Sequence, residues 1–236
     1  MKGELRNRGF VVNKKKIQRI MRELNLQVTS FSRKSRKYGS YKGTFGKVTP
    51  NRISRRFETS IPCQKITTDT TEFKYYENDQ SSNLQIKKLY HNSFMDLYNK
   101  EIVSYKITKQ LNGITIMEAL ADAIKATGKC PFRRNSHSDQ GWAYQMKAYG
   151  AKLKKDNILQ SISRKENGID NSPIENFFGL LKQEMYYGNI FHNYKELEQE
   201  IINYIHYYNY DRIKEKLNWM SPVHYRDYHF SPSLVA

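Results

Sequence analysis

Three acidic residues of this 236-residue sequence have the type and the context to do chemistry together. Asp69 lies inside a predicted strand among Thr and Ile residues, Asp139 ends a predicted strand, and Glu175 stands in the first turn of a predicted helix. These three places can converge on one side of a sheet, where three carboxylates would repel one another unless cations neutralised them. Hard oxygen ligands of this kind suit Mg²⁺ or Mn²⁺. Two such ions could activate a nucleophile and stabilise the leaving oxygen of an in-line phosphoryl transfer.

Each carboxylate also has an ordinary structural interpretation. Asp69 could be a solubility charge on an edge strand, and Asp139 could begin an Asp-x-Gly turn. Glu175 could complete a capping box in which Ser172 is the N-cap and Pro173 is the first helical residue. Composition and spacing alone favour these structural interpretations, so the choice depends on the surrounding sequence.

The elements that would position the three residues can be predicted from hydrophobic periodicity and turn residues. The predicted strands cover 65–76, 84–98, 101–108, a short stretch before Asp139, and 159–163. The predicted helices of the same body cover 115–128, about 142–149, 172–187 and 194–209. Strands first and then alternating helices and strands predict an α/β fold, in which a mixed sheet is flanked by helices.

Positive charge is concentrated at the N-terminal end. The chain has a formal net charge of +17, and residues 1–60 alone hold 17 basic and three acidic residues. Within this arm the pattern predicts an amphipathic helix over 13–25, with Asn13 as its N-cap, and then a basic linker over 28–60. An arm of this kind attracts phosphate backbones, because neutralising phosphates releases counterions. The cations for which we expect DNA contacts in the arm are Lys14, Lys15, Lys16, Arg33, Lys34, Arg36 and Lys37.

Other interpretations of the arm are a solubility tail or a ribosome-binding segment. Nucleic acid is favoured because aromatic residues that can pack on sugars or bases stand among the cations. These residues are Phe31, Tyr38, Tyr41 and Phe45. An anionic membrane is disfavoured, since no amphipathic apolar face accompanies the charges.

The rest of the composition bounds the class of protein. Cys63 and Cys130 are the only cysteines, so the sequence does not encode a disulfide scaffold. No stretch resembles a signal peptide or a membrane span. We therefore expect a cytoplasmic protein with no membrane partner.

The sequence motifs around the acidic residues decide between the interpretations. The motifs are TTDTTEF, HSDQGWAY and DNSPIENFFGLLKQE, with 35 residues between Asp139 and Glu175. Together they resemble the DDE catalytic core of retroviral-type integrases and bacterial transposases, and in particular the second-frame product of insertion-sequence family three. The closing segment over 204–226 and the opening segment over 8–26 resemble the corresponding parts of that family. The resemblance therefore covers nearly the whole chain.

The resemblance implies an RNase H-like fold divided into four segments. These are a partial helix-turn-helix-like segment (1–27), a basic linker (28–60), a catalytic core with a C-terminal helical segment (61–228) and a tail (229–236). By the same resemblance, Asp69, Asp139 and Glu175 become a catalytic triad that binds Mg²⁺ or Mn²⁺, with two ions expected.

Further residues acquire expected roles from their places in these motifs. Lys182 would contact DNA near the reacting end; its alternative is a solvated helix charge. Asp170 would arrange the loop before the catalytic helix, and Asp96 would form a turn rather than bind metal. His137 would be a hydrogen-bonded imidazole or, alternatively, would tune the site.

The implied function is a DDE transposase that cuts the ends of an insertion sequence and joins them to target DNA. Its expected partners are element-end and target DNA, further copies of the chain, and the first-frame product of the same element. The front of the chain resembles only the last part of the family's helix-turn-helix segment. Two alternatives follow: a truncated, non-catalytic DNA-binding remnant that inhibits transposition, and a simple RNase H-like nuclease.

Overall fold

The computed structural model describes residues 1–26, 49–78, 83–128, 130–164 and 168–230. The chain forms two compact units. The smaller unit comprises Met1–Gly39 with Tyr207–Ala236, and the larger comprises Ser40–His206. The division of the chain into four segments stays a prediction, and residues 28–48 of the predicted linker lie outside the described residues.

A five-stranded mixed sheet forms the centre of the larger unit. Its strands are β1 (Lys65–Asn78), β2 (Leu84–Asp96), β3 (Ile102–Thr108), β4 (Arg134–Ser138) and β5 (Ile158–Ile162). The strand order is β3-β2-β1-β4-β5, with antiparallel pairing from β1 to β3 and parallel pairing of β4 with β1 and β5. The mixed sheet predicted from the sequence is confirmed, and β1 lies at its centre.

The tight turn between β2 and β3 depends on a buried carboxylate. Asp96 accepts hydrogen bonds from the backbone amides of Tyr98 (3.0 Å) and Cys63 (2.8 Å). Burial raises the pKa of Asp96 to about 6. Lys100 completes the turn with a left-handed φ of 65°. The predicted role of Asp96 as a turn former is confirmed.

Helices cover both faces of the sheet. They are α3 (Gly113–Ala126), α4 (Lys147–Lys155), α5 (Ser172–Leu181) and α6 (Tyr194–Tyr210). Two predicted boundaries are wrong. The helix expected over about 142–149 is a 3₁₀ turn, Trp142–Gln145, followed by α4, because Met146 between them has an extended backbone with ψ of 138°. The helix expected over 172–187 ends its α-helical part at Leu181 and continues as a π-helical turn, Lys182–Tyr186.

The core has two layers because successive residues of β1 point to opposite faces of the sheet. On one face, Ile66 and Phe94 pack in a buried cluster with Leu120 of α3 and Leu153 of α4. On the other face, β1 and β2 pack against α5 and the π-helical turn. The ring of Phe73 there lies 5.1 Å from that of Tyr186.

The smaller unit contains α1 (Lys2–Asn7), α2 (Lys14–Glu23) and α7 (Pro222–Phe230). The predicted helix and its cap are confirmed, since the Asn13 side chain accepts a hydrogen bond from the Lys15 amide at 2.8 Å. Helix α1 packs against Trp219, whose carbonyl accepts a hydrogen bond from Asn7 (2.8 Å). A Cβ on Gly3 would lie 2.1 Å from the Trp219 ring, so this contact requires glycine.

No helix in the described ranges has the length and apolar character that a membrane crossing requires.

Candidate active site

Asp69 stands at the middle of β1, on the face of the sheet that carries α5. It is half-buried, and its Oδ1 accepts a hydrogen bond from the Thr70 amide at 2.7 Å. Thr67 and Thr71 share this face with Asp69 because they lie two residues away on the strand. The interpretation of Asp69 as an edge-strand charge is wrong, since β1 has strands on both sides.

Asp139 follows directly after β4, the parallel neighbour of β1. Its Oδ1 accepts a hydrogen bond from the Gly141 amide at 2.8 Å. A Cβ on Gly141 would lie 2.9 Å from that Oδ1 and 3.2 Å from the ring of Tyr144. The Asp-x-Gly turn is therefore present, and a side chain at position 141 would displace the Asp139 carboxylate or the turn.

Glu175 lies in the first turns of α5, but it does not complete a capping box. The N-cap of α5 is Asn171, with no side-chain capping bond, and Ser172 is already helical. The Asn171 side chain instead joins the helix to β1, accepting from the Thr67 hydroxyl and donating to the Thr68 carbonyl at 3.1 Å. The capping-box alternative for Glu175 is thus wrong, because the start of α5 is fixed by a tertiary contact two residues from Asp69.

The three carboxylates lie within electrostatic range of one another. Burial raises the pKa of Asp69 well above its usual range, and repulsion by Asp139 and then Glu175 adds to this effect. Burial also raises the pKa of Asp139. The pKa of Glu175 is raised by burial and by the Asp139 charge. The structure therefore couples electrostatically the three acidic residues that the sequence singles out, and the Lys182 charge offsets only part of the effects that raise the pKa of Asp69.

The donor chemistry of this cluster fits a hard divalent cation. All three side chains offer carboxylate oxygens, which are the ligands that Mg²⁺ and Mn²⁺ prefer. A cation would relieve the repulsion that raises the pKa of Asp69 and of Glu175. In the part of the chain that the structure describes, however, no three acidic, histidine or cysteine side chains are already gathered closely enough to enclose an ion.

Lys182 is a cation whose charge acts on this carboxylate cluster. It begins the π-helical turn and is buried, with 8% of its surface exposed. Its Nζ donates a hydrogen bond to the Thr71 hydroxyl and lies 5.0 Å from the centre of the Phe73 ring. Its charge lowers the pKa of Asp69. The solvated-charge alternative for Lys182 is therefore wrong, whereas its contact with DNA stays a prediction.

A buried polar network around Tyr144 was not predicted from the sequence. The Tyr144 hydroxyl accepts a hydrogen bond from Asn92 Nδ2 (2.8 Å) and lies 3.1 Å from the Thr70 hydroxyl. Burial, followed by the charges of Asp69 and Asp139, raises the pKa of Tyr144 well above its usual range. The signal in the sequence is the position of Tyr144, five residues after Asp139, in a turn for which a helix was expected.

Asp170 arranges the loop before α5, as predicted. Its carboxylate is fully buried and accepts hydrogen bonds from Arg164 Nε (2.8 Å), Arg55 Nε (2.9 Å) and Asn51 Nδ2 (2.9 Å). Arg164 and then Arg55 hold the pKa of Asp170 well below its usual range, against the effect of burial. His137 Nε2 lies 2.7 Å from the Asp170 carbonyl, which confirms His137 as a hydrogen-bonded imidazole.

The remaining predicted DNA contacts are lysines of α2 and cations of the predicted linker. Lys14, Lys15 and Lys16 are exposed in the first turn of α2. Arg33, Lys34, Arg36 and Lys37 lie outside the described residues. The DNA contacts of both groups stay predictions.

Sequence profiles of known domain families match most of the chain. Profiles of the integrase core domain match residues 59–167 and 175–230. The profile of an HTH-like domain matches residues 1–41. All three acidic residues of the candidate site fall within the integrase-core matches.

The chain is also similar along its length to known bacterial proteins. A transposase-like protein of Haemophilus influenzae is 43% identical over 216 residues, which are 91% of this chain and 93% of that protein. The putative transposase InsK for insertion sequence element IS150 of Escherichia coli K12 is 37% identical over 229 residues, which are 97% of this chain and 76% of that protein.

The fold is similar to that of a solved integrase core. The catalytic core domain of HTLV-2 integrase, in complex with magnesium and in its trimeric form, matches with a TM-score of 0.51 and 16% identity. The match covers 69% of this chain and 95% of that one. At this identity the likeness concerns the fold alone, and it agrees with the RNase H-like arrangement expected from the sequence.

Proposed function

Since the chain belongs to the family of insertion-sequence transposases with an integrase core, we propose that it cuts the DNA ends of an insertion sequence and joins them to target DNA. Membership of this family makes the chain an enzyme of the polynucleotidyl-transferase type. The single observation that carries the proposal is the electrostatic influence of Asp139 and Glu175 on Asp69, three residues that lie directly after β4, in α5 and in β1.

In this proposal the three carboxylates hold divalent ions, Mg²⁺ or Mn²⁺, and two ions in all. The magnesium in the HTLV-2 integrase core belongs to that protein; the same class of ion is proposed here because the donor set is made of hard oxygens. When bound, such ions activate an attacking oxygen and stabilise a leaving oxygen during phosphoryl transfer.

The chain's own residues hold the carboxylates in place. The Thr70 amide fixes Asp69 Oδ1, and the Gly141 amide fixes Asp139 Oδ1. No other described residue donates a hydrogen bond to either carboxylate, so each Oδ2 remains available for a ligand. The hydrogen bond from Asn171 to β1 sets the start of α5 and hence the position of Glu175.

Lys182 is proposed to meet the phosphate backbone of the reacting end. The Thr71 hydroxyl and the Phe73 ring hold its ammonium group on the same face of the sheet as Asp69. A lysine in this place would attract the DNA phosphate to the carboxylate cluster. The exposed lysines of α2, together with the basic residues over 28–48, are proposed to add phosphate contacts that carry no sequence information.

The proposed partners are the DNA of the element ends, the target DNA and further copies of the chain. Joining two ends to one target requires both ends to be held together, so an assembly of at least two copies is proposed. The first-frame product of the same element is a further proposed partner.

The test is Mg²⁺- or Mn²⁺-dependent nicking and strand joining on supercoiled plasmid with an end-derived oligonucleotide. We expect activity in the wild type and its loss in Glu175→Gln, which removes one charge from the cluster at nearly constant volume. The matched control is Asp122→Asn, because Asp122 is an exposed acid of α3 whose surface ion pair with Lys106 lies outside the cluster.

Two outcomes would contradict the proposal in different ways. Equal activity in the wild type and in Glu175→Gln would remove Glu175 from the chemistry. DNA binding without activity in the wild type would support the alternative function, a non-catalytic DNA-binding protein that inhibits transposition.

A further inference from the structure

A second charged region lies at the other end of β4, away from the carboxylates. It is a groove of about 1090 Å³, and its lining comes from three separate parts of the larger unit. The parts are the segment before β1 that includes Thr49 and Arg52, the connection 130–134 that leads into β4, and the end of α4 with the start of β5. We call this region the basic groove.

Five cations line the basic groove. They are Arg52, Arg133, Arg134, Lys154 and Lys155. Asp156 is the only acidic residue of the lining, and its carboxylate lies 3.1 Å from Lys152 Nζ in a helical ion pair. The chain beyond residue 60 has 23 basic and 20 acidic residues, so its charge is nearly balanced. The groove therefore concentrates positive charge on a body that otherwise has almost none in excess.

Part of this charge has a structural explanation. Lys154 and Lys155 stand in the last turn of α4, where cations stabilise the helix dipole. Arg134 donates hydrogen bonds to the carbonyls of Gly128 (3.0 Å) and Asp156 (3.1 Å), so it ties the α3–β4 connection to the end of α4.

The other two arginines have no such explanation. Arg52 and Arg133 belong to neither α4 nor β4, and both are exposed. Within the described ranges, no carboxylate lies at ion-pair distance from Arg52, Arg133, Lys154 or Lys155. The convergence of unpaired cations from three segments on one groove indicates an anionic ligand.

The features of the groove favour a nucleic-acid backbone over a small anion. The groove is large and open, and its cations are distributed among separate segments instead of surrounding one point. Phe132 lines it with 54% of its surface exposed, and an exposed aromatic ring among cations can pack on a sugar or a base. Five residues of β4 separate Arg134 from Asp139, or roughly 17 Å along a parallel strand, so the groove and the carboxylate cluster are different sites.

We propose that the basic groove binds the phosphate backbone of duplex DNA as a second contact of the catalytic core. This inference rests on the proposed function in one respect, since it is that function which brings DNA to the core. The groove would hold DNA at a distance from the reacting phosphodiester and so increase the affinity of the core without touching the chemistry.

The test compares the salt dependence of DNA binding by the full chain and by the double variant Arg133→Ala with Lys154→Ala. The probe is a fluorescent duplex of arbitrary sequence, followed by anisotropy. Each lost phosphate contact reduces the slope of log K against log salt by about 0.9, so we expect the slope to become shallower by about 1.8. The matched control, Lys88→Ala with Lys195→Ala, removes the same charge from exposed positions outside the groove and should leave the slope unchanged.

A charge-preserving variant separates lost contacts from lost structure. Arg133→Lys with Lys154→Arg should keep the wild-type slope, and all variants should keep the wild-type melting temperature. An unchanged slope in the alanine double variant would overturn the proposal, as would an equal change in the control.

The outcome is also distinguishable from a failure of the proposed function. A shallower slope in the alanine double variant, combined with a wild type that neither nicks nor joins DNA, would support the groove and contradict the transposase chemistry. An unchanged slope combined with an active wild type would contradict the proposed groove and support the transposase chemistry.

Discussion

Two acidic sites of the larger unit use the same residue type in opposite ways. At Asp170, two arginines and an asparagine satisfy the carboxylate, and its pKa falls well below the usual range. At Asp69, burial and then the charges of two further carboxylates, Asp139 and Glu175, raise the pKa well above that range. Asp170 therefore stabilises the fold, whereas the Asp69 cluster opposes it electrostatically. An uncompensated cluster persists only where the surrounding structure imposes it, and such places are candidates for function.

The largest effect is expected from a substitution within the carboxylate cluster. Asp69→Asn keeps the side-chain volume and the acceptor for the Thr70 amide but removes one charge. We expect nicking and strand joining to fall by roughly 100-fold or more, because even partners behind a metal ligand are worth about 10–100-fold. The free energy of unfolding without divalent ions should stay equal or increase, since a repulsion has been removed. A loss of activity accompanied by a large loss of stability would contradict this contrast.

The second prediction concerns Asp170, whose carboxylate has hydrogen-bond partners. Asp170→Asn should lower the free energy of unfolding by about 2–3 kcal/mol at neutral pH, because hydrogen bonds to charged groups are worth about 1.5–3 kcal/mol. The arginine partners are partly exposed, with 44% and 59% of their side chains accessible, so water compensates for some of the loss. Chemical denaturation measures the difference, and Asp122→Asn should change stability by less than about 0.5 kcal/mol.

The same variant carries a pH dependence whose sign follows from the lowered pKa. The folded state holds the Asp170 proton less tightly than the unfolded state, so ionised Asp170 adds stability above the unfolded-state pKa of about 3.9. That stability is lost as pH falls through the lower, folded-state pKa. The difference between wild type and Asp170→Asn should therefore shrink as pH falls below about 4, and a difference that is constant over that range would contradict the assignment.

The smallest effect is expected from a substitution next to the Asp139 carboxylate. Gly141→Ala places a Cβ 2.9 Å from Asp139 Oδ1, so the carboxylate or the turn must shift by a few tenths of an ångström. We expect activity to fall about tenfold, since a displacement of about 1 Å can cost 10²-fold. Gly179→Ala is the control, because a Cβ there meets nothing within 4 Å. It should leave activity unchanged and stabilise α5 by roughly 0.5–1 kcal/mol.

Features that depend on a few neighbouring residues were predictable. The alternation of β1, the Asn13 cap of α2 and the turn at Asp96 all follow from residues within a few positions of one another. The approximate extents of the strands and the order of elements also follow, because the periods of 2 and 3.6 residues are local properties. The convergence of the three acidic residues was expected from their motifs and their places in those elements.

Features that depend on distant contacts were not predictable. The capping box that the local sequence allows at Ser172 and Glu175 is absent because Asn171 bonds to β1, more than 100 positions earlier in the chain. Lys182 is buried because Thr71 and Phe73 receive it, again over a separation of more than 100 positions. The Tyr144 network joins β1, β2 and the turn after Asp139, and it has no signature in the spacing of any one segment.

The sequence by itself therefore determined the α/β class, the order of the elements and the three carboxylates that are candidates for one site. Alternating apolar residues and turn residues determine local secondary structure, and the sequence motifs carry the family resemblance. Tertiary structure alone decided which carboxylate is satisfied and which is not, and where cations from separate segments form the basic groove. The physical reason is that burial and electrostatic potential at a side chain are sums over whatever the fold places around it, and most of those neighbours are remote in sequence.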